Sequence, residues 1–225
     1  MRTTDSKHSH AVAPSILDQD FTTSAPNRVW VSDITYIPTD EGWLYLAATM
    51  DLFSRKVVGW SMSASMPATL VLGALETAID LRSPSPGLVH HSDRGVQYAA
   101  HAFQGMLDQH GIVCSMSRKG NCYDNAAQES FFHTLKTELC DHEHYRTHAE
   151  ARASVFEFIE VFYNRQRLHS TLGYRFPDRV RGAAPSDVAI VDADTASDAR
   201  TWSREESVRP RMGSTTRVDR DDGAS

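Results

Sequence analysis

Three acidic residues stand in settings where a carboxylate can do chemistry. Asp33 interrupts the apolar run Val29–Pro38 (VWVSDITYIP) between Val31 and Ile34. A carboxylate there costs several kcal/mol in lost hydration unless something pairs with it. Asp93 closes a short run in His90-His91-Ser92-Asp93-Arg94-Gly95, and open α/β sheets place ligand sites beyond the carboxyl ends of parallel strands. Glu129 belongs to a helical stretch in which Asn125, Glu129, His133 and Lys136 share one polar face, while Phe131, Leu135 and Leu139 take the opposite side. Each acid alone has a plain structural reading: a locally satisfied strand Asp, a turn Asp before glycine, a solvated helix Glu. Brought together they do not. Two like charges ~4 Å apart repel by ~4 kcal/mol at an effective dielectric near 20, so such a cluster needs protons or divalent cations. Oxygen-only donors suit Mg²⁺ or Mn²⁺ rather than zinc. Two such ions ~3.5–4 Å apart can stabilise both the attacking and the leaving oxygen of a phosphodiester.

The elements that must position these acids are legible from periodicity. Val29–Pro38 is rich in β-branched and aromatic residues and reads as a strand. Thr39–Gly42 supplies a turn, Trp43–Asp51 a second strand and Lys56–Met62 a third, spaced so closely that only an antiparallel meander fits. A helix follows from Pro67 to Leu81, then a strand at Leu88–Ser92, a helix at Ala99–His110 and a strand at Ile112–Ser115. Helices at Asn125–Leu139 and Thr147–Tyr163 complete the set, the last opened by the capping box Thr147-x-x-Glu150. The expected order, β-β-β-α-β-α-β-α-α, is an α/β fold: a mixed five-stranded sheet flanked by helices. The expected organisation is a lead-in strand or linker over residues 1–26, a core over 27–182 and a disordered tail over 183–225, where aromatics almost vanish.

Composition narrows the function classes. In 225 residues, 40% hydrophobic and 23% charged side chains make an ordinary globular balance. Three cysteines without CxxC spacing argue against a disulfide scaffold or a zinc site. The longest apolar run is far below the ~18 residues of a membrane span, and Met1–His10 lacks the apolar segment of a secretory signal. A cytoplasmic protein is expected. The net charge of −6 hides a division: residues 118–181 carry +1 against −4 over 1–117 and −3 over 182–225. Cations group at Arg165, Arg167, Arg175, Arg179 and Arg181, and screening makes such local clusters matter more than the total. A nucleic-acid partner is therefore compatible with an acidic chain.

The blocks Trp30–Ile37, Asp51-Leu52-Phe53-Ser54-Arg55, His90–Tyr98, Ser115–Ala126 and Glu129–Lys136 resemble, as text, the catalytic protein of bacterial insertion sequences of the insertion-sequence-three type. The core of that protein is similar to retroviral integrase. Thirty-five residues separate Asp93 from Glu129, Lys136 falls seven after Glu129, and Tyr163-Asn164-x-x-Arg167-x-His169-Ser170 matches the family's closing motif. The resemblance covers residues 10–174. It implies an RNase H-like fold and a transposase that cleaves and joins DNA strands, with Asp33, Asp93 and Glu129 as catalytic metal ligands for Mg²⁺ or Mn²⁺, expected as two ions. Lys136 would contact DNA near the active site, and the basic and polar residues Lys119, Asn125, Arg165 and Arg167 are expected to add DNA contacts. The implied partners are DNA (element ends and target) and further copies of the chain on that DNA, with no membrane. Asp51, an acid at a strand end, is expected to be structural or to support the ligands. The short stretch before residue 27 and the unrelated text after Tyr174 depart from the family pattern. They favour a competing reading, a truncated remnant that only binds DNA or a partner subunit; a second alternative keeps the fold but acts on an RNA/DNA hybrid, and the unbroken block from Ser117 to Asn125 argues against it.

Overall fold

The structure is a computed structural model that describes residues 12–17, 23–118, 126–181 and 191–192. Strand β1 (Val29–Thr39) turns at Asp40-Glu41 into β2 (Gly42–Asp51), with Thr39 opposite Gly42 in register. Gly42 takes φ +109°, which only glycine adopts without strain, and the Thr39 hydroxyl donates to its carbonyl at 2.7 Å. The reversal into β3 (Val57–Ser63) is built by Asp51. Its carboxylate accepts from the backbone N–H of Asn27 (2.8 Å) and of Ser54 (3.0 Å) and from the Ser54 hydroxyl (2.5 Å). Asp51 is thus a turn-building acid, buried and satisfied, with no solvent-facing oxygen to offer a ligand.

Helix α1 (Ala68–Arg82) crosses to β4 (Val89–Ser92), and α2 (His101–Gln109) crosses to β5 (Val113–Met116). The strands lie in the order β5-β4-β1-β2-β3. β4 and β5 run parallel to β1, and the β1-β2-β3 meander is antiparallel. One face packs Trp30, Ile34, Tyr45 and Val58 against α1 and α2. The other packs Val31, Ile37, Leu46 and Trp60 against α3 (Ala126–Glu138) and α4 (His148–Glu157). Both faces are covered, so the central strands read as near-continuous apolar runs rather than alternating ones.

Three features depart from the sequence expectation. Thr147 caps α4 by accepting from Glu150 N–H at 3.1 Å, as expected. The helix nevertheless stops being α-helical at Glu157 and widens into a π-helical turn, Phe158–Tyr163, that buries Phe158, Ile159, Glu160 and Tyr163 together. A regular 3.6-residue repeat would rotate some of these four away from the sheet. Beyond the expected elements lies a short helix, α5 (Pro177–Arg181), held by an ion pair between buried Lys56 and Asp178 at 2.5 Å. The disordered tail expected over 183–225 falls outside the described residues except at Val191–Asp192. Those two form β6, parallel to β3 opposite Ser61 and Met62, and make the sheet six-stranded. The pairing gives partners to part of an otherwise open sheet edge. The lead-in also has fixed points: Leu17 is buried, and Ile16 N–H donates to the Ser115 hydroxyl at 2.9 Å.

Candidate active site

The register between β1 and β4 pairs Val29 with Val89, Trp30 with His90 and Val31 with His91. Asp33 and Asp93 each lie two residues beyond the last pair, Asp93 just past the end of β4 at Ser92. Asp33 also shares its side of the sheet with Val31 and Ile37, the side covered by Phe131 and Leu135 of α3. Asp33 accepts from the N–H of Ile34 at 2.7 Å. Asp93 accepts from the N–H of Gly95 at 2.8 Å, in a turn where a Cβ on residue 95 would lie 2.9 Å from that same carboxylate oxygen. Glycine is therefore the residue that lets this carboxylate fold back over its own loop.

Glu129 comes from the exposed side of the first turn of α3. Its neighbour Gln128 is fully buried and donates to the carbonyl of Ala48 at 3.2 Å. Ala48 is the register partner of Asp33 on β2. One hydrogen bond thus pins the start of α3 across the strand beside the first acid. The electrostatics agree. Burial pushes the Asp33 carboxyl up to about 8; the charge of Asp93 adds to it, the Ile34 N–H opposes it, and Glu129 adds a smaller push. All three acids lie within one electrostatic field. They do not form a closed cage: among the described residues no three His, Cys, Asp or Glu side chains stand close enough to hold an ion.

The surroundings add residues that sequence reasoning did not single out. Tyr98 is buried, its hydroxyl has no hydrogen-bond partner, and burial with the charges of Asp33 and Asp93 raises its pKa well above the usual phenol value. Beneath the acids runs a buried polar chain in which the Ser32 hydroxyl meets His90 Nε2 and the Thr49 hydroxyl, each at 2.8 Å. Burial lowers the His90 pKa to about 3, so the ring is neutral. His91 Nδ1 instead meets the Ser115 hydroxyl at 2.9 Å. These two histidines are interior hydrogen-bonding groups. Cys140 is a buried thiol with its pKa raised to about 11, mainly by burial. Position is the only sequence signal for Gln128 and Tyr98: one precedes Glu129, the other follows Asp93 by five.

The expected DNA contacts divide. Lys136 Nζ stands over the Tyr36 ring, 4.5 Å from its centroid, and Tyr36 in turn meets Trp43 edge-on at 4.8 Å. Arg165 is ion-paired with Asp178 at 3.6 Å, and Arg167 with Glu138 at 3.2 Å. Both arginines are thus partly neutralised within the fold. Lys119 and Asn125 lie outside the described residues, as do Cys122 and the histidines at 8 and 10.

Two family descriptions, both of an integrase core domain, match residues 23–122 and 110–177. The chain is 51% identical over 164 residues to the transposase for insertion sequence element IS904 of Lactococcus lactis, a match covering 73% of this chain and 65% of that protein. It is 48% identical over 172 residues to transposase InsF for insertion sequence IS3A of Escherichia coli K12, covering 76% of this chain and 60% of that protein. The chain thus spans just under two thirds of the length of these relatives. Among solved structures it superposes on a chain of the simian T-cell lymphotropic virus intasome with a TM-score of 0.59, at 16% identity, covering 85% of this chain and 66% of that one. On the HTLV-2 integrase catalytic core, solved in complex with magnesium, the TM-score is 0.51 at 17% identity, covering 71% of this chain and 97% of that one. At such identities the likeness is one of fold, and the fold is that of the RNase H-like integrase cores. With the sequence matches beside it, this chain belongs to the integrase-core family and is similar to the transposases of insertion sequences of the insertion-sequence-three type.

Proposed function

We propose that this chain is the catalytic core of a transposase that cleaves and joins DNA strands by divalent-metal-dependent phosphoryl transfer, with Asp33, Asp93 and Glu129 as the metal-holding residues. The observation that supports the reading is that Asp33 and Asp93 each follow the last β1–β4 pair by two residues, and that the charges of Asp93 and Glu129 both act on the Asp33 carboxyl. The donor set fits a hard cation: three carboxylates and no thiol or imidazole. Magnesium or manganese, as two ions, would supply positive charge where the phosphoryl group gains negative charge. The Asp33 carboxyl, which burial favours in its protonated form, would serve as a ligand if a cation took the place of the proton. Gly95 holds the Asp93 carboxylate in its turn, and Gln128 fixes where α3 begins. Lys136, seven residues along α3 from Glu129, supplies a cation for a backbone phosphate.

The substrate in this reading is DNA, at element ends and target, bound by several copies of the chain together. The magnesium and intasome named for the two viral integrase structures support this by analogy of fold. Among the described residues no helix is long and apolar enough to cross a membrane, and the working compartment of the reading is the cytoplasm. The test is a labelled duplex with pre-cut ends, incubated with Mn²⁺ or Mg²⁺ and either wild type or Glu129→Gln. Wild type should nick or join strands. The variant should lose activity by several orders of magnitude while folding normally, since Phe131 and Leu135 rather than Glu129 build the core. Equal product from both proteins would remove Glu129 from the site. No product from folded wild type favours the DNA-binding remnant instead.

A further inference from the structure

A cavity of about 230 Å³ opens where the β2–β3 reversal, the first turn of α3 and the segment after the π-helical turn meet. Its polar lining is Arg55, Ser130, Tyr163, His169 and Thr171. We propose that this cavity binds a phosphodiester group, anchoring the DNA backbone one residue along from Glu129. The inference rests on the DNA-processing reading above and adds a subsite to it.

The first argument is charge. Arg55 is held inward by a backbone at φ +59° whose N–H donates to Asp51 carbonyl at 2.8 Å. Burial works against its charge, and no carboxylate pairs with it among the described residues. Its neighbours differ: Lys56 and Arg165 share Asp178, and Arg167 has Glu138. A half-buried guanidinium without a counter-charge is a standing cost that an anion relieves. The planar fork of arginine matches phosphate oxygens in pairs.

The second argument is the set of donors around it. Ser130 and Thr171 carry exposed hydroxyls at the rim, and Tyr163 is buried with its phenol pushed up mainly by burial, so it remains a donor at neutral pH. The α3 N-terminus contributes the positive end of a 13-residue helix. The third argument is an orphan. His169 is only 8% exposed, meets Tyr163 edge-on at 4.9 Å, and has no hydrogen-bond partner at Nε2. Among the described residues no acid lines the cavity. A volume of this size holds a small tetrahedral anion, given that a water occupies about 30 Å³ in the liquid. Since Ser130 and Thr171 open it to solvent, it can take a phosphate that remains part of a chain. That geometry favours a strand passing over the rim above a free nucleotide sealed inside.

The test is fluorescence anisotropy of a labelled duplex across a salt series, with wild type, Arg55→Gln, Thr171→Val and the control Arg146→Gln. Arg146 is exposed just before α4, and its ion-pair partner among the described residues is Glu150. Arg55→Gln should weaken binding about tenfold, the scale of one charged hydrogen bond. It should also lower the slope of log affinity against log salt by about one, as loss of one phosphate contact does. Thr171→Val, at an exposed rim position, should weaken binding in the same direction without threatening the fold, and Arg146→Gln should change neither affinity nor slope. Inorganic phosphate in the same assay separates the sources. Weak competition that vanishes in Arg55→Gln fits a phosphodiester pocket. Tight phosphate binding that leaves duplex affinity untouched assigns the cavity to a free anion and overturns the proposal. If wild type binds duplex and both pocket variants bind it equally well, the pocket is wrong while the DNA reading stands. If wild type binds no duplex, the DNA reading fails and takes the pocket with it.

Discussion

Asn164 holds both backbone groups of Val57. Its Oδ1 accepts from the Val57 N–H and its Nδ2 donates to the Val57 carbonyl, each at 3.0 Å and each fully buried. A side-chain amide here takes the place of a neighbouring strand at the start of β3, before β6 takes over at Ser61 and Met62. The Tyr163-Asn164 pair of the closing motif is thus divided in role. Asn164 closes a sheet edge, and Tyr163 faces the cavity.

Replacing Asn164 with Leu should leave a buried N–H and a buried carbonyl unpaired. Each orphan costs about 1–3 kcal/mol, so a loss of roughly 2–5 kcal/mol is expected in urea denaturation. Asn164→Asp keeps the acceptor, loses the donor and buries a charge, and it should be no milder. A change below about 0.5 kcal/mol in both variants would mean that water or a backbone shift replaces the amide.

Gly59 on β3 lies beneath α1 so closely that an added Cβ would stand 2.2 Å from the Ala74 carbonyl oxygen and 2.6 Å from the Ala78 nitrogen. Both contacts are backbone, so the helix itself would have to move. Gly59→Ala should destabilise by about 3 kcal/mol or more. Gly105, exposed within α2 with open space around it, is the counterpart: Gly105→Ala should stabilise by about 0.5–1 kcal/mol. Thermal melts of the two variants should shift in opposite directions.

Acid should unfold the protein partly through His90. Its folded pKa, about 3, lies below the ordinary 6.5 because the ring is buried. Below pH 6.5 the unfolded chain takes up a proton that the folded ring refuses. The contribution is therefore fully present above pH 6.5 and is lost as pH falls toward 3, at up to ~1.4 kcal/mol per pH unit. Stability measured against pH should be flatter in His90→Gln over that window. Parallel curves for wild type and variant would contradict a buried neutral ring.

Divalent cations should stabilise the fold by mass action if the three acids bind them, by about 2.7 kcal/mol at a hundredfold excess over Kd. Mg²⁺ and Mn²⁺ should raise Tm in wild type, zinc should not be required, and Asp93→Asn should abolish the increase. The same shift in wild type and variant would locate the metal elsewhere.

Much of the scaffold is written locally. The β-branched runs around Asp33, the helical stripe of Phe131 and Leu135, and the Thr147/Glu150 capping box each depend on neighbours within a few residues, and each forms as its pattern requires. The 3.6-residue repeat continues smoothly past Glu157, so the change to a π-helical turn is invisible to it. That turn answers distant partners: Glu160 accepts from Trp60 Nε1 at 2.9 Å, across 100 residues of sequence. The two-residue β6 finds its partner in the open edge of β3, more than a hundred residues earlier in the chain.

The same line divides the site. By itself the sequence determined the fold class, the three acids, their spacing and the family text that surrounds them, because residue type and local period are properties of the chain. The tertiary structure alone decided which side chains meet. The β1–β4 pairing brings Asp33 and Asp93 within electrostatic reach of each other, Gln128 fastens α3 to the strand beside Asp33, and buried Tyr98 feels the charge of both carboxylates. It also separated cations that look alike in the sequence: Arg165 and Arg167 turn to Asp178 and Glu138, while Arg55 is left facing a cavity. Such pairings join residues tens of positions apart, and they are set by how helices seat on the sheet, a packing outcome that no local pattern encodes.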